Sequence, residues 1–550
     1  MKKFASFVLA LCLLLGVGAS AEMVNTESAM PVVTEPFEVD IALVPQASAV
    51  DFKIENNAMA EYLKRESGLT INWMVIDSVA AEERISMMCN SGDLPDAILG
   101  YSFDTNKLVQ YGVSEQLFMP LNDLIDQYAP TLAGVFAENP SWKAAVTATD
   151  GNIYGFPAFS NVYVYPLRFF INTVWLDNVG LENPTTLEEF KQVLIAFRDQ
   201  DANGNGDPAD EIPWSGSWSE GFSERGFIFN SYGYVNNGNI ALDYNQEGAP
   251  IVFVPATDMY KDYLYFMRDL WNEGLLDPDM FTQSKVQQQA TVMEGVIGFT
   301  EMDAPYVSDP ENQEDWECIN TLVSEEGKTP VFPGSTGIDQ VSLMVINADV
   351  DADTAAVLTK FADWFYTLEG WAFATYGPEA GSEYDYFNNG HYYDEASNTI
   401  LYNRPDEMAS DWTHRVTNLS FWNVPGFNLN GYDPYSEEYA EAYPDSAVGQ
   451  QFANGPVRRD DVWSQIEKQG PYYVMPVPKF FFSEDDLDRL NALQTPLDDY
   501  VALMEAQFIT GEQDIDAQYD TFQETLIAYG LEEYMEIYQR YYENFKANQQ

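Results

Sequence analysis

The sequence predicts an α/β protein with parallel sheet and a helical C-terminal region. Three observations carry that prediction. Residues 39–99 alternate short apolar runs with amphipathic stretches in the order strand, helix, strand, helix, strand. That rhythm belongs to a parallel sheet, whose ligands meet the carboxyl ends of the strands. A second region of the same character begins after Pro166, and the chain from Glu484 to Phe545 reads mostly as helix.

The first strand is expected at residues 39–44, ending at Pro45. Met59, Tyr62 and Leu63 then mark one face of a helix that Gly68 stops. A strand follows at 69–76, a helix at 84–90 and a third strand at 96–99. In the second region Thr185 and Thr186 are candidate N-caps, with Glu188 and Glu189 as capping-box partners. Leu187, Phe190, Leu194 and Phe197 form the apolar stripe of that helix. Residues 341–346 read as a strand that returns to the first region, and 355–376 as one aromatic-rich helix. The chain shows no short-period internal repeat.

Directly after the stripe helix comes Asp201-Ala-Asn-Gly-Asn-Gly-Asp-Pro-Ala-Asp-Glu211, which sets oxygen side chains at alternate positions around a glycine. Asp201, Asn203 and Asn205 hold positions 1, 3 and 5 of an EF-hand-like loop, and Gly206 stands where the chain must turn sharply. A hard divalent cation takes six to eight oxygens, so Asp207 through its carbonyl and Asp210 and Glu211 through carboxylates are the further candidates for calcium. Position 12 is Ile212 rather than a bidentate glutamate. The competing reading is a solvated acidic turn, which Asn-Gly pairs also suit.

The N-terminus reads as a secretion signal. Lys2 and Lys3 precede an apolar run over residues 4–17, and Ala19-Ser20-Ala21 is a small-x-small cleavage site. Glu22 is then the expected first mature residue. Leu9-Ala10-Leu11-Cys12 fails as a lipid-attachment site: the residue before the cysteine is large and the apolar run continues past it. No later stretch is long and apolar enough to read as a membrane span.

Composition is globular, with 46% hydrophobic and 15% aromatic residues in 550. The net charge of −61 repels nucleic acid and anionic membrane alike, which excludes both as expected partners. Beyond Cys12 only Cys89 and Cys318 remain. They either pair or stay as free buried thiols, and two cysteines in so long a chain are no disulfide framework.

Several segments resemble one family. Ser91-Gly-Asp-Leu-Pro-Asp96, Asp150-Gly-Asn-Ile-Tyr-Gly-Phe-Pro157, Trp175-Leu-Asp177 through Gly180-Leu181 to Pro184-Thr-Thr186, and Phe508-Ile-Thr-Gly511 with Gly530-Leu531 and Tyr534 stand in its order and spacing. The chain is identified as a member of the extracellular solute-binding proteins of ABC importers, close to the long subgroup that includes alginate-oligosaccharide-binding proteins. The resemblance spans nearly the whole mature chain.

It implies a two-lobe, periplasmic-binding-protein-like (type II) fold that closes on a sugar, with calcium at the Asp201 loop. Here the acidic pair Asp210 and Glu211 falls one position late, because one residue is inserted. The family's usual lipid-modified cysteine is missing, so the expected location is extracellular or cell-envelope without a lipid anchor. On this plan residues 1–21 are the signal peptide and 22–36 a tether. Residues 37–165 with 336–400 make the N-terminal lobe, and 166–335 with 401–550 the C-terminal lobe. The implied partners are an oligosaccharide and ABC permease subunits, and the expected state is a monomer.

Sugar recognition sets aromatic faces against the apolar face of a pyranose and polar side chains against its hydroxyls. Trp214 and Trp218 lie in a glycine- and serine-rich stretch, and Glu301 and Asp303 follow a buried strand at 296–300. Trp412, His414, Arg415, Phe421 and Trp422 form a further cluster. With 34 Phe, 34 Tyr and 12 Trp, most aromatic side chains in this chain must be core.

Few lysines and arginines are present to pair a uronate carboxylate, although Arg168 or Arg415 alone suffices for one. The expected activity is binding without catalysis. The alternatives are a secreted glycoside hydrolase, which 87 carboxylates leave open, and a peptide receptor of the same architecture. His391 and His414 are the only histidines, and no G-x-S-x-G or H-E-x-x-H motif occurs.

Overall fold

The structure, a computed structural model, describes residues 23–160, 169–218, 223–302, 305–309, 311–325, 328–405, 407–408, 410–427, 439–454 and 468–548. The expected signal peptide, Cys12, Arg168 and Asp303 lie outside the described residues.

The first lobe is a six-stranded sheet. Phe37–Leu43 pairs in parallel with Leu69–Val75 on one side and with Ala97–Leu99 on the other. Ile338–Ile346 adds antiparallel to Ala97–Leu99, Phe156–Phe159 adds antiparallel to that, and Gly426–Phe427 closes the edge. Helix Ala58–Glu66 starts where Asn57 accepts bonds from the amides of Met59 and Ala60, which satisfies two orphan donors. Helix Ala81–Ser91 ends on Gly92 in the left-handed conformation at φ 71°. The turn that follows is closed by Asp96, whose carboxylate accepts from the amide of Asp40 at 2.8 Å. The family-like segment 91–96 is therefore a structural joint.

Three expectations need correction here. Residues 23–36 pack on the lobe: Val24, Val32 and Val33 are buried in its core, and the amide of Val32 bonds to the carbonyl of Ser67. They are apolar enough to be drawn in and do not form a free tether. The helix expected at 355–376 is two helices, Ala352–Trp364 and Leu368–Tyr376, because the Thr367 side chain caps the second by accepting from the amide of Gly370. The lobe boundary at 400 falls too early, since Phe421, Val424 and Phe427 belong to the first core.

The second lobe has a four-stranded sheet in the order Trp316–Cys318, Phe169–Asn172, Ile297–Glu301, Ile212–Ser215. Its stripe helix, Leu187–Asp199, is capped by Thr186, and Leu187, Phe190, Leu194 and Phe197 are all buried. A three-stranded sheet, Tyr234–Asn237, Ile240–Asp243 and Ile251–Phe253, packs in the same core. Helices Glu484–Thr510, Ile515–Ala528 and Leu531–Asn548 complete that core. No described helix is long and apolar enough to cross a membrane.

Between the lobes the crossing segments run side by side. The amide of Ser160 bonds to Gly337, Phe332–Pro333 pairs in parallel with Tyr473–Val474, and the amide of Gly334 bonds to Val474. Gly337 sits at φ +80° and a Cβ there would overlap the indole of Trp142, so this crossing needs glycine twice over. Cys89 and Cys318 form no disulfide and are buried in separate cores. Burial pushes the Cys89 thiol up to about 12, which leaves it unreactive at neutral pH.

Candidate functional site

Strand direction locates the cleft. In the first sheet Phe159 lies opposite Ile338, so both crossings leave from the end at which Ala97–Leu99 and Phe37–Leu43 point their carboxyl termini. In the second sheet Phe169 lies opposite Glu301, so the incoming crossing arrives at the carboxyl end of Ile297–Glu301 and Ile212–Ser215. The two carboxyl edges are therefore joined across the crossings, and a ligand between them meets loops from both sheets.

The first-lobe edge holds a cavity of about 200 Å³ lined by Ser102, Asp339, Gln340, Thr375, Trp422 and Asn423, among others. Ser102 donates to the Gln340 side-chain oxygen at 2.5 Å. Trp422 is half-buried and sits at φ +60°, a left-handed conformation that is costly for an aromatic residue. Its ring meets Trp412 edge-on, with centroids 4.7 Å apart. The guanidinium of Arg415 lies 4.8 Å from the Trp422 ring centre and 5.0 Å from that of Trp412. A cation against two indole faces is attractive and fixes their orientation.

The segment that carries these residues starts as helix Asp411–His414, capped by Ser410, and widens into a π-type turn over Arg415–Leu419. Phe421 is buried against Phe52 and Trp73, so it supports the cluster from the core side. His414 is buried too. One ring nitrogen lies 2.9 Å from the carbonyl of Asn389, the other 3.2 Å from the Asn418 amide nitrogen, and burial lowers its pKa. His391 is buried beside Tyr376 and Tyr402, and burial pushes it down to about 4. Both imidazoles are neutral packing groups.

On the second-lobe edge the loop after Ile212–Ser215 is pinned from three sides. Ser215 donates to Asp277 at 2.6 Å, Gln283 donates to the carbonyl of Gly216 at 2.7 Å, and Glu224 accepts from the amide of Ser217 at 3.0 Å. Trp218 then emerges half-buried, with its ring 5.1 Å from that of Phe281. Glu301 ends its strand at the same edge, with its carbonyl accepting from Gln288.

Trp214, expected at the ligand, is fully buried among Phe190, Phe227 and Phe299. Residues 212–215 are a strand rather than a loop, and its register directs Trp214 into the core. The structure thus brings Trp412, Arg415 and Trp422 together on one lobe and leaves Trp218 and Glu301 separately after strands of the other. Sequence reading missed Ser102, Gln340 and Asn423. Ser102 was within reach, because it follows the third strand at its carboxyl end. Gln340 is placed by the register of the crossing strand, which the sequence does not display.

A second cavity, of about 270 Å³, is built on the crossings themselves, with Trp142, Ser160, Ser335, Gly337, Lys479 and Phe545 in its wall. The Lys479 ammonium donates to the carbonyl of Asp339 at 3.2 Å. Burial lowers its pKa, and the carboxylates of Asp339 and Asp104 act against that.

The loop at 200–211 links the stripe helix to the strand that leads to Trp218. Asn205 and Asn203 donate to the two oxygens of Asp210, Asp201 accepts from the amide of Gly206, and Glu211 accepts from the amide of Ala202. Asp207 accepts from the amide of Ala209. One oxygen of Asp201 and one of Glu211 are buried without a hydrogen-bond donor. Burial raises the Glu211 pKa, helped by Asp210. The donor set is mixed: among the described residues no three acidic, histidine or cysteine side chains alone form a metal-holding group. Two unsatisfied buried carboxylate oxygens beside amide and carbonyl oxygens suit a hard cation.

Residues 47–370 match the model of the bacterial extracellular solute-binding proteins. The fructooligosaccharide ABC transporter substrate-binding protein FusA of Streptococcus pneumoniae is 28% identical over 503 residues, 88% of this chain and 86% of FusA. A solved structure of a FusA EF-hand mutant in complex with fructo-nystose superposes with a TM-score of 0.69 at 24% identity, covering 93% of this chain and all of that one. The alginate-binding protein AlgQ2, solved without calcium ion, gives 0.62 at 18%, covering 93% and 99%. Two sheets with joined carboxyl edges, parallel crossings and a family match across more than half the sequence lead to one conclusion: the chain belongs to the bacterial extracellular solute-binding proteins.

Proposed function

We propose that the protein captures an oligosaccharide between its lobes and delivers it to an ABC permease without making or breaking a bond. The observation that carries this reading is the cavity at the first-lobe carboxyl edge, where the Trp422 face stands beside hydroxyl and amide side chains. Such a pairing of apolar face and polar rim is what a sugar ring needs. The identity with FusA, a fructooligosaccharide-binding protein by name, supports the same class. Trp218 on the opposite edge is the second platform, and closure about the parallel crossings brings the two together.

The loop at 200–211 is proposed to take calcium through Asp201, Asn203, Asn205, Asp207, Asp210 and Glu211. The EF-hand of FusA supports this. A cation would supply the positive charge that the buried oxygens of Asp201 and Glu211 call for, and it would stiffen the entry to the strand leading to Trp218.

Calorimetry and melting of residues 22–550 against neutral and acidic oligosaccharides test the reading. A ligand that binds only the folded state adds about 2.7 kcal/mol at 100 times its dissociation constant. A selective shift with the sugar recovered intact is the expected result. A sugar recovered cleaved makes the protein a hydrolase, and a shift with peptides alone makes it a peptide receptor.

A further inference from the structure

We infer that Phe481 is a pivot between the lobes. It sinks into the first lobe from a segment rooted in the second, and so holds the two lobes to the rotation that closes the cleft. Its effect on sugar affinity rests on the capture proposed above, whereas its effect on lobe motion stands without a sugar.

Residues 475–483 are fastened to the second lobe at both ends. The Tyr244 hydroxyl donates to the carbonyl of Met475 at 2.6 Å, and the amide of Ser483 donates to the Tyr541 hydroxyl at 2.7 Å. Val477, Phe480 and Phe482 are buried in the second core. The rings of Phe480 and Phe482 lie 6.1 and 5.3 Å from that of Tyr538 on the last helix. Phe481, between them, is buried in the core of the first lobe. An extended backbone produces such alternation, because it turns successive side chains to opposite sides. Two residues earlier the Lys479 ammonium donates to the carbonyl of Asp339, on first-lobe strand Ile338–Ile346, at 3.2 Å.

Neighbouring Cα atoms stand about 3.8 Å apart. Phe480, Phe481 and Phe482 therefore tie two separately packed cores at one point. Sliding or parting the lobes there pulls a buried aromatic ring out of its core, which the hydrophobic effect opposes. Rotation about the point stays open. Met475, Pro478 and Lys479 share a cavity of about 270 Å³ with Trp142 and Ile338 of the first lobe, so the segment has room to shift as the lobes turn.

Such a pivot raises affinity without touching the sugar. Lobes that slide or twist spend less of their time in the geometry that closes, and the apparent dissociation constant rises by the factor by which that fraction falls. Phe481 is thus a positioning residue, acting through the Trp422 and Trp218 edges that it keeps aligned.

The test follows the distance between the lobes in residues 22–550. Val79 on the first lobe and Val286 on the second are 94% and 77% exposed. Val79→Cys with Val286→Cys takes a pair of spin labels, while the buried Cys89 and Cys318 are checked for label uptake in the chain without those changes. Phe481→Ala is expected to broaden the sugar-free distance distribution and, in the unlabelled chain, to weaken sugar binding by about fivefold. Phe482→Ala removes a ring of the same size from the second-lobe side of the same segment. It is expected to lower the melting temperature and to leave distribution and affinity unchanged. If Phe481→Ala does not fold, Phe481→Leu and Lys479→Met carry the same comparison.

An unchanged distribution in the Phe481 variant overturns the inference, as does equal broadening in the Phe481 and Phe482 variants. Either result leaves the solute-binding reading standing. A panel in which no sugar binds removes that reading instead, and broadening confined to the Phe481 variant still upholds the pivot.

Discussion

Trp422 combines two features that rarely coincide, a large ring facing a cavity and a backbone at φ +60°. The left-handed conformation costs an L-residue about 1–2 kcal/mol, and the Arg415 and Trp412 contacts hold the ring there regardless. A strained residue that lines a cavity is expected to be kept for its ring. Trp422→Ala should therefore weaken sugar binding by about 2 kcal/mol, roughly thirtyfold. Trp422→Gly should bind as poorly yet be more stable than the alanine variant by about 1 kcal/mol, since glycine tolerates positive φ. Calorimetry and urea midpoints on the two variants separate ring from backbone. Equal stability would remove the strain argument, and undiminished binding would remove the platform. Residue chemistry was partly legible beforehand: the cluster of Trp412, Arg415 and Trp422 was visible as composition. Trp214 and Trp218 read alike in the sequence, but Trp214 lies in a strand whose register buries it, whereas Trp218 follows that strand and is only half-buried.

At the scale of elements, local signals read well and broken helices did not. Thr186, read as a cap, accepts from the amide of Glu189 as expected, whereas Asn57 and Gly92 delimit their helices through local signals that the sequence reading did not use. The interruption at residues 365–367 is invisible to periodicity because both flanking helices are apolar on most sides. The loop at 200–211 is an intermediate case: its oxygen spacing is legible, and its bonding pattern needs coordinates. Asn203 and Asn205 point their amide nitrogens at Asp210, while Asp201 and Glu211 each bury one unpaired oxygen. If calcium belongs there, adding it turns those amides over and pairs both oxygens. Calcium at 100 times its dissociation constant should then raise stability by about 2.7 kcal/mol, and chelation should reverse the gain. Asp201→Ala should abolish the response without further loss on chelation. Melting curves with calcium, magnesium and chelator decide this. A wild-type melt indifferent to all three reduces the loop to an acidic turn.

The whole molecule is assembled from distant parts of the chain, which is why its boundaries were the least legible feature. Gly426–Phe427 closes the first sheet although long stretches of second-lobe sequence precede it, and no local pattern marks a two-residue edge strand. The terminal helices join the second lobe through an equally non-local contact. Glu505, on helix Glu484–Thr510, is buried and accepts from Arg225 at 3.0 Å and from the hydroxyls of Tyr260 and Tyr263. Arg225 also reaches Asn239, which bonds to Asp498 of the same terminal helix. A buried pair so enclosed is weak evidence of net stability over an apolar core of the same shape, because desolvation offsets much of the attraction. Removing one partner is another matter, since the other charge stays buried. Glu505→Ala should thus destabilise the second lobe by about 3–5 kcal/mol. The double replacement Arg225→Met with Glu505→Leu should cost much less than the two single changes added together. Urea unfolding followed by tryptophan fluorescence measures both. If the single and double variants are additive, the network is a bystander and apolar packing alone holds the terminal helices. If the double variant recovers most of the loss, the two groups are coupled, and the single losses measure a charge left buried without its partner rather than a requirement for docking the helix.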